Sequence, residues 1–526
     1  MRIFFNVKWA SLGLWVPAIL VAAALLLPMA YLLIRTVEAG PEVWGLMFRF
    51  RTLEIIGRTA WLALTVTVTS AAVAVPLAWL TVRTNLPLRR LWAVLTALPL
   101  VIPSYVGAYL AVAALGPRGM LQGGLESLFG VQRLPDIYGF PGAWLVLTLM
   151  SYPYVLLSAR AALLRMDPAL DDASRGLGHG PWSTFWRVTL PQLRPALAAG
   201  SLLVVLYVLR DFGAVSIMRY NTFARVIYIQ YQSSFDRTAA AALSLILVAM
   251  TLSILVLEMW TRRRAHYFRS DVVGVAQPQP TIRLGRWRWP ALLFCGGVVG
   301  LALILPAGVL LYWLVRGVQA GERLAPISLA IKHSIFASGL AAGVTLAAAL
   351  PLVVLAVRRP GRLSHGLERL TYAGFALPGI VVALALVFFG ARYARPVYQT
   401  LPMLILAYVI LFLPQAMGAV QASLLQVHPS LEEAARSLGR RPFQVHITIT
   451  APLVWPGVAA GAGLVFLTTM KELPATLILG PFGYKTLATA VWSAVSEAFF
   501  AQAAAPALLL ILTSSLPIAF LILREG

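Results

Sequence analysis

The sequence is poor in what most soluble proteins use. It has one cysteine, Cys295, in an apolar run, so it makes no intrachain disulfide and no cysteine metal cluster. Charged residues make up only 12% of its 526 residues, about half the share of a soluble domain. Acids are scarcest: 19 Asp+Glu against 42 Lys+Arg, a net charge of +23. The six histidines (179, 266, 333, 365, 428 and 446) form no pair at ligand spacing, and no acidic cluster supports a metal enzyme. Serine and cysteine nucleophile signatures are absent. The phosphate loop G-x-x-x-x-G-K-[ST] is also missing. Its nearest approach, "GPFGYKT" at 480–486, has Tyr484 between Gly483 and Lys485 and reads as a loop.

What remains is apolar: 60% of the chain is hydrophobic. A soluble fold has no use for so much apolar surface, whereas each membrane-spanning helix needs roughly 20 mostly apolar residues. The fold class is therefore an all-α polytopic membrane protein. Twelve candidate spans lie near 12–34, 58–82, 91–114, 143–164, 196–217 and 239–259, then 289–314, 333–357, 371–391, 401–424, 457–478 and 500–522. Charged residues interrupt 196–217 and 457–478. The first run follows Arg2 and Lys8, is long for a signal-peptide core, and reads as a retained first helix. With the N-terminus placed in the cytoplasm, 25 of the 42 Lys+Arg fall in inside segments. This bias predicts that both termini are cytoplasmic and explains the basic excess without nucleic acid.

The chain divides into halves. Residues 262–288, rich in Arg, Pro and Gln, read as a cytoplasmic linker between a first lobe (1–261) and a second (289–526). Shifted by 261, residues 170–200 align with 431–461 without a gap, twelve of 31 positions being identical. Pro153 meets Pro414 at the same shift; Pro76 meets Pro351, Arg83 meets Arg358 and Pro103 meets Pro378 at a shift of 275. The difference reflects an extra stretch near 116–136. Six spans per repeat is an even number, so the two pseudo-repeats are parallel, with any pathway expected between lobes.

The repeated loop, 167–200 and 428–461, is the most specific signal. The first copy carries Asp172, Ala173, Ser174, Gly178 and Pro191; the second carries Glu433, Ala434, Ala435, Gly439 and Pro452. Pro168 and Pro429 suit a first helical turn, the acids that follow suit the positive helix end, and each glycine suits a left-handed stop. Each loop is thus expected to hold a short helix, a turn and an amphipathic lead into the next span. "EEAARSLG" resembles the EAA loop of ABC importer permeases; the first copy departs by Asp172 for Glu and Ser174 for Ala.

The resemblance implies a permease whose two loops dock on two ATPase subunits. Those subunits, not this chain, would bind ATP and Mg, so the chain itself carries no cofactor and is not an enzyme. A periplasmic or extracellular solute-binding protein would deliver the ligand, and the chain would reside in the bacterial inner membrane. "LRDFGAVSIMRYNTFARVIY" (209–228) and "KELPATLILGPFGYKTLAT" (471–489) are similar to segments of iron(III) importer permeases with two fused lobes. Iron(III) is the expected substrate; thiamine, polyamines, sulfate and phosphonates are the alternatives among related permeases. A secondary transporter with two six-span halves is the rival class.

Arg210–Asp211 and Lys471–Glu472 occupy equivalent positions at a shift of 261. Charges at membrane depth cost about 2.5–3.5 kcal/mol or more and normally face a partner or a wet cavity. They are candidate pathway or gate residues, with Pro474 and Gly213 marking broken helices. Asp211 and Glu472 could give oxygen ligands to a hard cation, or each could neutralise its basic neighbour or fix a helix end; the second reading is favoured.

Overall fold

A backbone inside hydrocarbon has no water to pair with, so a chain of apolar runs satisfies its polar groups as helix. In a computed structural model describing residues 2–38, 45, 49–233, 238–264, 281–321, 327–374 and 377–524, the described residues form helices and no strand. Among the described residues, nine helices are long and apolar enough to cross a bilayer. The pair Arg89–Val101 and Ser104–Phe129, bent by 98°, makes a tenth when taken as one broken span. The shorter apolar helices Gly379–Tyr393 and Phe500–Ser515 fall at the ninth and twelfth expected spans.

Prolines shape both halves alike. Pro76, Pro153 and Pro195 lie inside helices, as do Pro351, Pro414 and Pro456 at the repeat positions. Pro103 (φ −60°, ψ 144°) and Pro378 (φ −63°, ψ 144°) are extended instead, and each starts a short helix, Ser104–Leu115 or Gly379–Tyr393. Proline has no amide donor to lose at a helix start. The third span of each half is therefore broken, where the apolar pattern suggested continuous runs at 91–114 and 371–391. The spans expected at 196–217 and 457–478 likewise stop early, at Arg210 and Lys471, followed by the short helices Gly213–Ile217 and Pro474–Leu479.

Two compact units form, and neither is contiguous in sequence. One comprises 50–226, 250–324 and 494–526. At its centre Phe140–Arg165 packs against Phe50–Arg83 and Leu190–Arg210. The Leu305–Gln319 helix of the second half joins this unit, packing on Ser104–Leu115 and on Phe500–Arg524. The Tyr109 hydroxyl donates to the Phe500 carbonyl at 2.9 Å, with the two rings stacked. The other unit comprises 1–49, 227–249 and 325–493. There Leu401–Gln426 is central, packed on Ile327–Arg358 and Ala451–Lys471. The first helix, Arg2–Glu38, packs on Ile327–Arg358 and Gly379–Tyr393, with Tyr31 stacked on Phe388 at 5.3 Å. The central helices are 61% and 78% buried over their apolar windows, against 33% for Phe50–Arg83, whose remaining face is left for lipid.

The segment read as a linker has structured ends. The Thr238–Arg264 helix enters it, and the next span starts at Gly285. Ile282 forms a parallel bridge with Thr84. Residues 265–280 lie outside the described residues.

Candidate functional site

Each repeated loop folds as a short helix, Pro168–Gly176 or Pro429–Ser437. Asp167 caps the first, accepting from the Ala169 amide at 2.9 Å, and the His428 ring caps the second through the Ser430 amide at 3.3 Å. Both end as the glycines suggested. Gly178 has φ +84° and Gly439 φ +85°, a conformation glycine adopts without side-chain strain. The amide after each glycine turns back: His179 to the Ser174 carbonyl and Arg440 to the Ala435 carbonyl, both at 3.2 Å. This is a Schellman stop. Pro191 and Pro452 sit in the first turn of the following spans.

The paired acids of each loop divide. Asp172 and Glu433 face out, together with Ala173 and Ala434. Asp171 and Glu432 face in and are buried. Arg83 Nη1 lies 3.5 Å from Asp171 Oδ2, and the Thr189 hydroxyl donates to Oδ1 at 3.3 Å. In the other unit Arg358 Nη2 donates to Glu432 Oε1 at 3.0 Å, and the Thr450 hydroxyl donates to the same oxygen at 3.1 Å. Arg358 also donates to the Val427 carbonyl at 3.0 Å. An arginine ending the second span of each half thus holds the loop helix, with a threonine from the following segment as third partner. Both threonines end a π-helical turn, Phe185–Thr189 and His446–Thr450. Ser174 is buried against the Thr184 hydroxyl at 3.0 Å, and Ala435 is buried in its place in the second copy.

Sequence reasoning singled out Asp172 and Glu433 and passed over this clamp. Its signal was present: Arg83 and Arg358 coincide at a shift of 275, Asp171 and Glu432 at 261. Nothing in the sequence joins the two offsets.

The outward face of each loop is apolar at one matching point, Leu177 being 79% and Leu438 85% exposed. Trp182 and Phe443, also matching, are exposed beyond them. Asp172 and Arg175, or Glu433 and Arg436, rim these exposed apolar groups.

The second constellation lies where the fifth span of each half breaks. Asp211 (φ −68°, ψ 122°) and Glu472 (φ −68°, ψ 126°) leave the helix with the same geometry. Asp211 Oδ1 accepts from the Ala214 and Val215 amides at 3.0 and 3.2 Å. Glu472 accepts from the Ala475 amide at 3.0 Å and the Thr476 amide at 3.1 Å. The Thr476 hydroxyl also donates to Glu472 Oε2 at 3.0 Å and meets the Tyr408 hydroxyl at 2.8 Å. Each acid therefore ends one helix and caps the next. Among the described residues no group of three or more His, Cys, Asp or Glu could hold a metal ion. Arg210 and Lys471 close the preceding helices, and Pro474 opens the short helix in the second half, where Gly213 opens it in the first. Space beside both breaks is tight. A Cβ on Gly213 would come 2.6 Å from Tyr105 Cβ, and one on Gly379 would come 2.7 Å from Glu472 Oε1. The segment "GPFGYKT" is a turn at the start of the Ile327–Arg358 helix, with the Tyr484 hydroxyl donating to the His333 carbonyl at 2.9 Å.

Comparison with known proteins fits this duplicated architecture. The family described as "binding-protein-dependent transport system inner membrane component" matches twice, over residues 70–266 and 339–524. Each match contains one loop clamp and one acid-capped break. The chain is 36% identical over 506 residues to the Fe(3+)-transport system permease protein FbpB 2 of Haemophilus influenzae, covering 95% of this chain and 96% of that one. It is 25% identical to the ferric transport system permease protein FbpB of Actinobacillus pleuropneumoniae, over 73% of this chain and 58% of that one. The sulfate transport system permease protein CysW of Escherichia coli is 29% identical, with 48% of this chain matching 88% of it, so half of this chain spans most of that relative. Two copies of one domain, each with its loop helix and broken span, place the chain in the family of binding-protein-dependent transport system inner membrane components.

Proposed function

We propose that this protein is the fused two-lobe permease of an ATP-driven importer that moves iron(III) into the cytoplasm. The observation that carries the reading is the duplicated loop. Two helices present the same outward pattern, Asp172–Ala173–Leu177 and Glu433–Ala434–Leu438, and each is tied to a long span by an arginine, Arg83 buried and Arg358 half-buried. Such a pair suits two identical partners. These are two ATPase subunits, which hold ATP and Mg and perform the hydrolysis, while a solute-binding protein delivers iron on the opposite side. Both termini are cytoplasmic, on the side of the loops, and the halves before and after 262–288 each supply most of one lobe. Iron is assigned because the relative matched along nearly the whole chain, FbpB 2, is an Fe(3+)-transport permease.

The clamps explain how a docked subunit moves a span. A force on the Pro168–Gly176 helix passes through Asp171 to Arg83 and so to the end of Phe50–Arg83. The second loop repeats the path through Glu432 and Arg358. The lobes rock between two states, and the ligand is moved because it binds those states unequally. Asp211 and Glu472 fix the breaks in the fifth spans and act as gate elements rather than as iron ligands. Their carboxylate oxygens already accept backbone amides that a cation would have to displace.

The test is co-purification of the tagged chain, expressed with its neighbouring genes, in wild-type form and as an Asp172→Lys/Glu433→Lys double variant. An ATPase subunit held by the wild type and lost from the variant supports the reading. An ATPase subunit retained by both removes the outward acids from the docking surface.

A further inference from the structure

An apolar groove opens on the unit that holds the Phe50–Arg83 helix, apart from the broken spans; Trp182, exposed beyond the first loop helix, also lines it. Its volume is about 820 Å³, inside the roughly 300–1,000 Å³ range of ligand sites. Ala72 and Val75 of the Phe50–Arg83 helix line it together with Phe294 of the Arg288–Val299 helix. Along that helix the lining runs from Ala71 to Leu80. At 1.5 Å per residue it therefore extends from about 18 Å to about 5 Å short of Arg83, which marks the membrane edge beside the loop helix. Trp182, Trp186 and Trp287 also belong to the lining. Indole rings favour the headgroup level of a bilayer.

One charged side chain, Arg283, belongs to the lining, and no acid does. Its backbone is strapped on both sides. The Ile282 amide donates to the Arg83 carbonyl at 2.8 Å, and the Asn85 amide donates to the Ile282 carbonyl at 3.1 Å. The Leu284 amide donates to Asn85 Oδ1 at 2.9 Å. Arg283 itself has no ion pair and no side-chain hydrogen bond among the described residues. An exposed, unpaired guanidinium on a strapped backbone therefore stands at the wet end of an apolar slot that runs into hydrocarbon.

We propose that this groove holds one anionic phospholipid from the leaflet on the loop side, its phosphate on Arg283 and an acyl chain along Ala72, Val75 and Phe294. The guanidinium fork matches phosphate in a bidentate way, and basic pockets beside membrane helices suit anionic headgroups. A soluble peptide does not fit the deep part, because its backbone would lie unsatisfied in hydrocarbon. The proposal rests on the chain's spanning a bilayer, not on its substrate or its ATPase.

The experiment is native mass spectrometry of the full chain in detergent, with phosphatidylglycerol and phosphatidylethanolamine of identical acyl chains added in equal amounts. The expected result is one retained phosphatidylglycerol, favoured about five- to tenfold over phosphatidylethanolamine, the size of one well-placed headgroup contact. Arg283→Ala removes that preference while leaving weak retention of either lipid, and Ala72→Trp, which fills the slot, removes both adducts. Size-exclusion profiles check that the variants are folded, with Arg283→Gln replacing an aggregating Arg283→Ala. Equal retention of the two lipids by wild type, an unchanged preference in Arg283→Ala, or unchanged adducts in Ala72→Trp overturns the proposal. So does displacement of the lipid by a docked ATPase, which would make the groove a protein interface. None of these readouts involves ATP or iron, so their failure leaves the importer reading intact.

Discussion

Neutralising Asp171 and neutralising Asp172 are the same chemical change one residue apart, and the structure gives them very different costs. Asp171 faces Arg83, whose side chain is 3% exposed, while its own is 11% exposed. Asp171→Asn leaves Arg83 charged and buried without its counterion. Removing one partner of a buried pair costs about 3–5 kcal/mol. Asp172 is exposed, and surface changes of this kind stay within about 0.5 kcal/mol. Hydrogen exchange of the 168–178 amides in detergent reads the local opening free energy. At roughly 1.4 kcal/mol per tenfold, Asp171→Asn speeds that exchange by about a hundredfold or more, and Asp172→Asn by no more than about twofold. Replacing both clamp partners with apolar groups, Arg83→Met with Asp171→Leu, recovers most of the protection, since well-packed apolar pairs often match buried ion pairs. In the other unit Arg436, 3.7 Å from Glu432 and half-exposed, offers Glu432 a second but surface-grade cation. Arg358→Met is therefore milder than Arg83→Met by about 1 kcal/mol. Equal exchange rates for Asp171→Asn and Asp172→Asn would refute the clamp.

Gly439→Val, at φ +85°, strains the loop stop by about 1–2 kcal/mol and leaves ATP hydrolysis running without matched uptake; simultaneous ATPase and uptake assays measure the ratio, and normal coupling counts against the loop's role. Glu472→Gln keeps one carbonyl oxygen for the Ala475 or Thr476 amide but loses the charge, so it lowers transport more than assembly, and wild-type uptake removes Glu472 from the gate. A protease site placed within 265–280 leaves two fragments that co-purify, because the Arg2–Glu38 helix packs on helices of the second half within one unit; separation of the fragments contradicts that packing.

Much of this architecture was legible because lipid restricts the choices. An apolar run of sufficient length becomes a helix, so span number and the duplication followed from the sequence pattern. The loop stops at Gly178 and Gly439 followed from backbone sterics alone. Other features depend on neighbours the sequence does not name. Periodicity marks an apolar face but not what covers it, so the packing of Arg2–Glu38 on the second half went unseen. Of two adjacent acids, pattern alone did not choose the inward one. For Asp211 and Glu472 the sequence already favoured a neutralised charge or a helix end over a metal ligand, but it did not name the amides they cap, those of residues 214–215 and 475–476. The composition of 262–288 marked a linker but not its anchor points, Ile282 and Leu284, which are tied to the end of the Phe50–Arg83 helix.

The most direct test of the importer account is radioactive iron(III) uptake into proteoliposomes holding this chain with its ATPase and binding protein. The account predicts uptake that requires ATP inside the coupling compartment, ceases without the ATPase subunit, and survives collapse of the proton gradient. Uptake that continues without the ATPase and stops when the gradient is collapsed would contradict it and make the protein a secondary transporter.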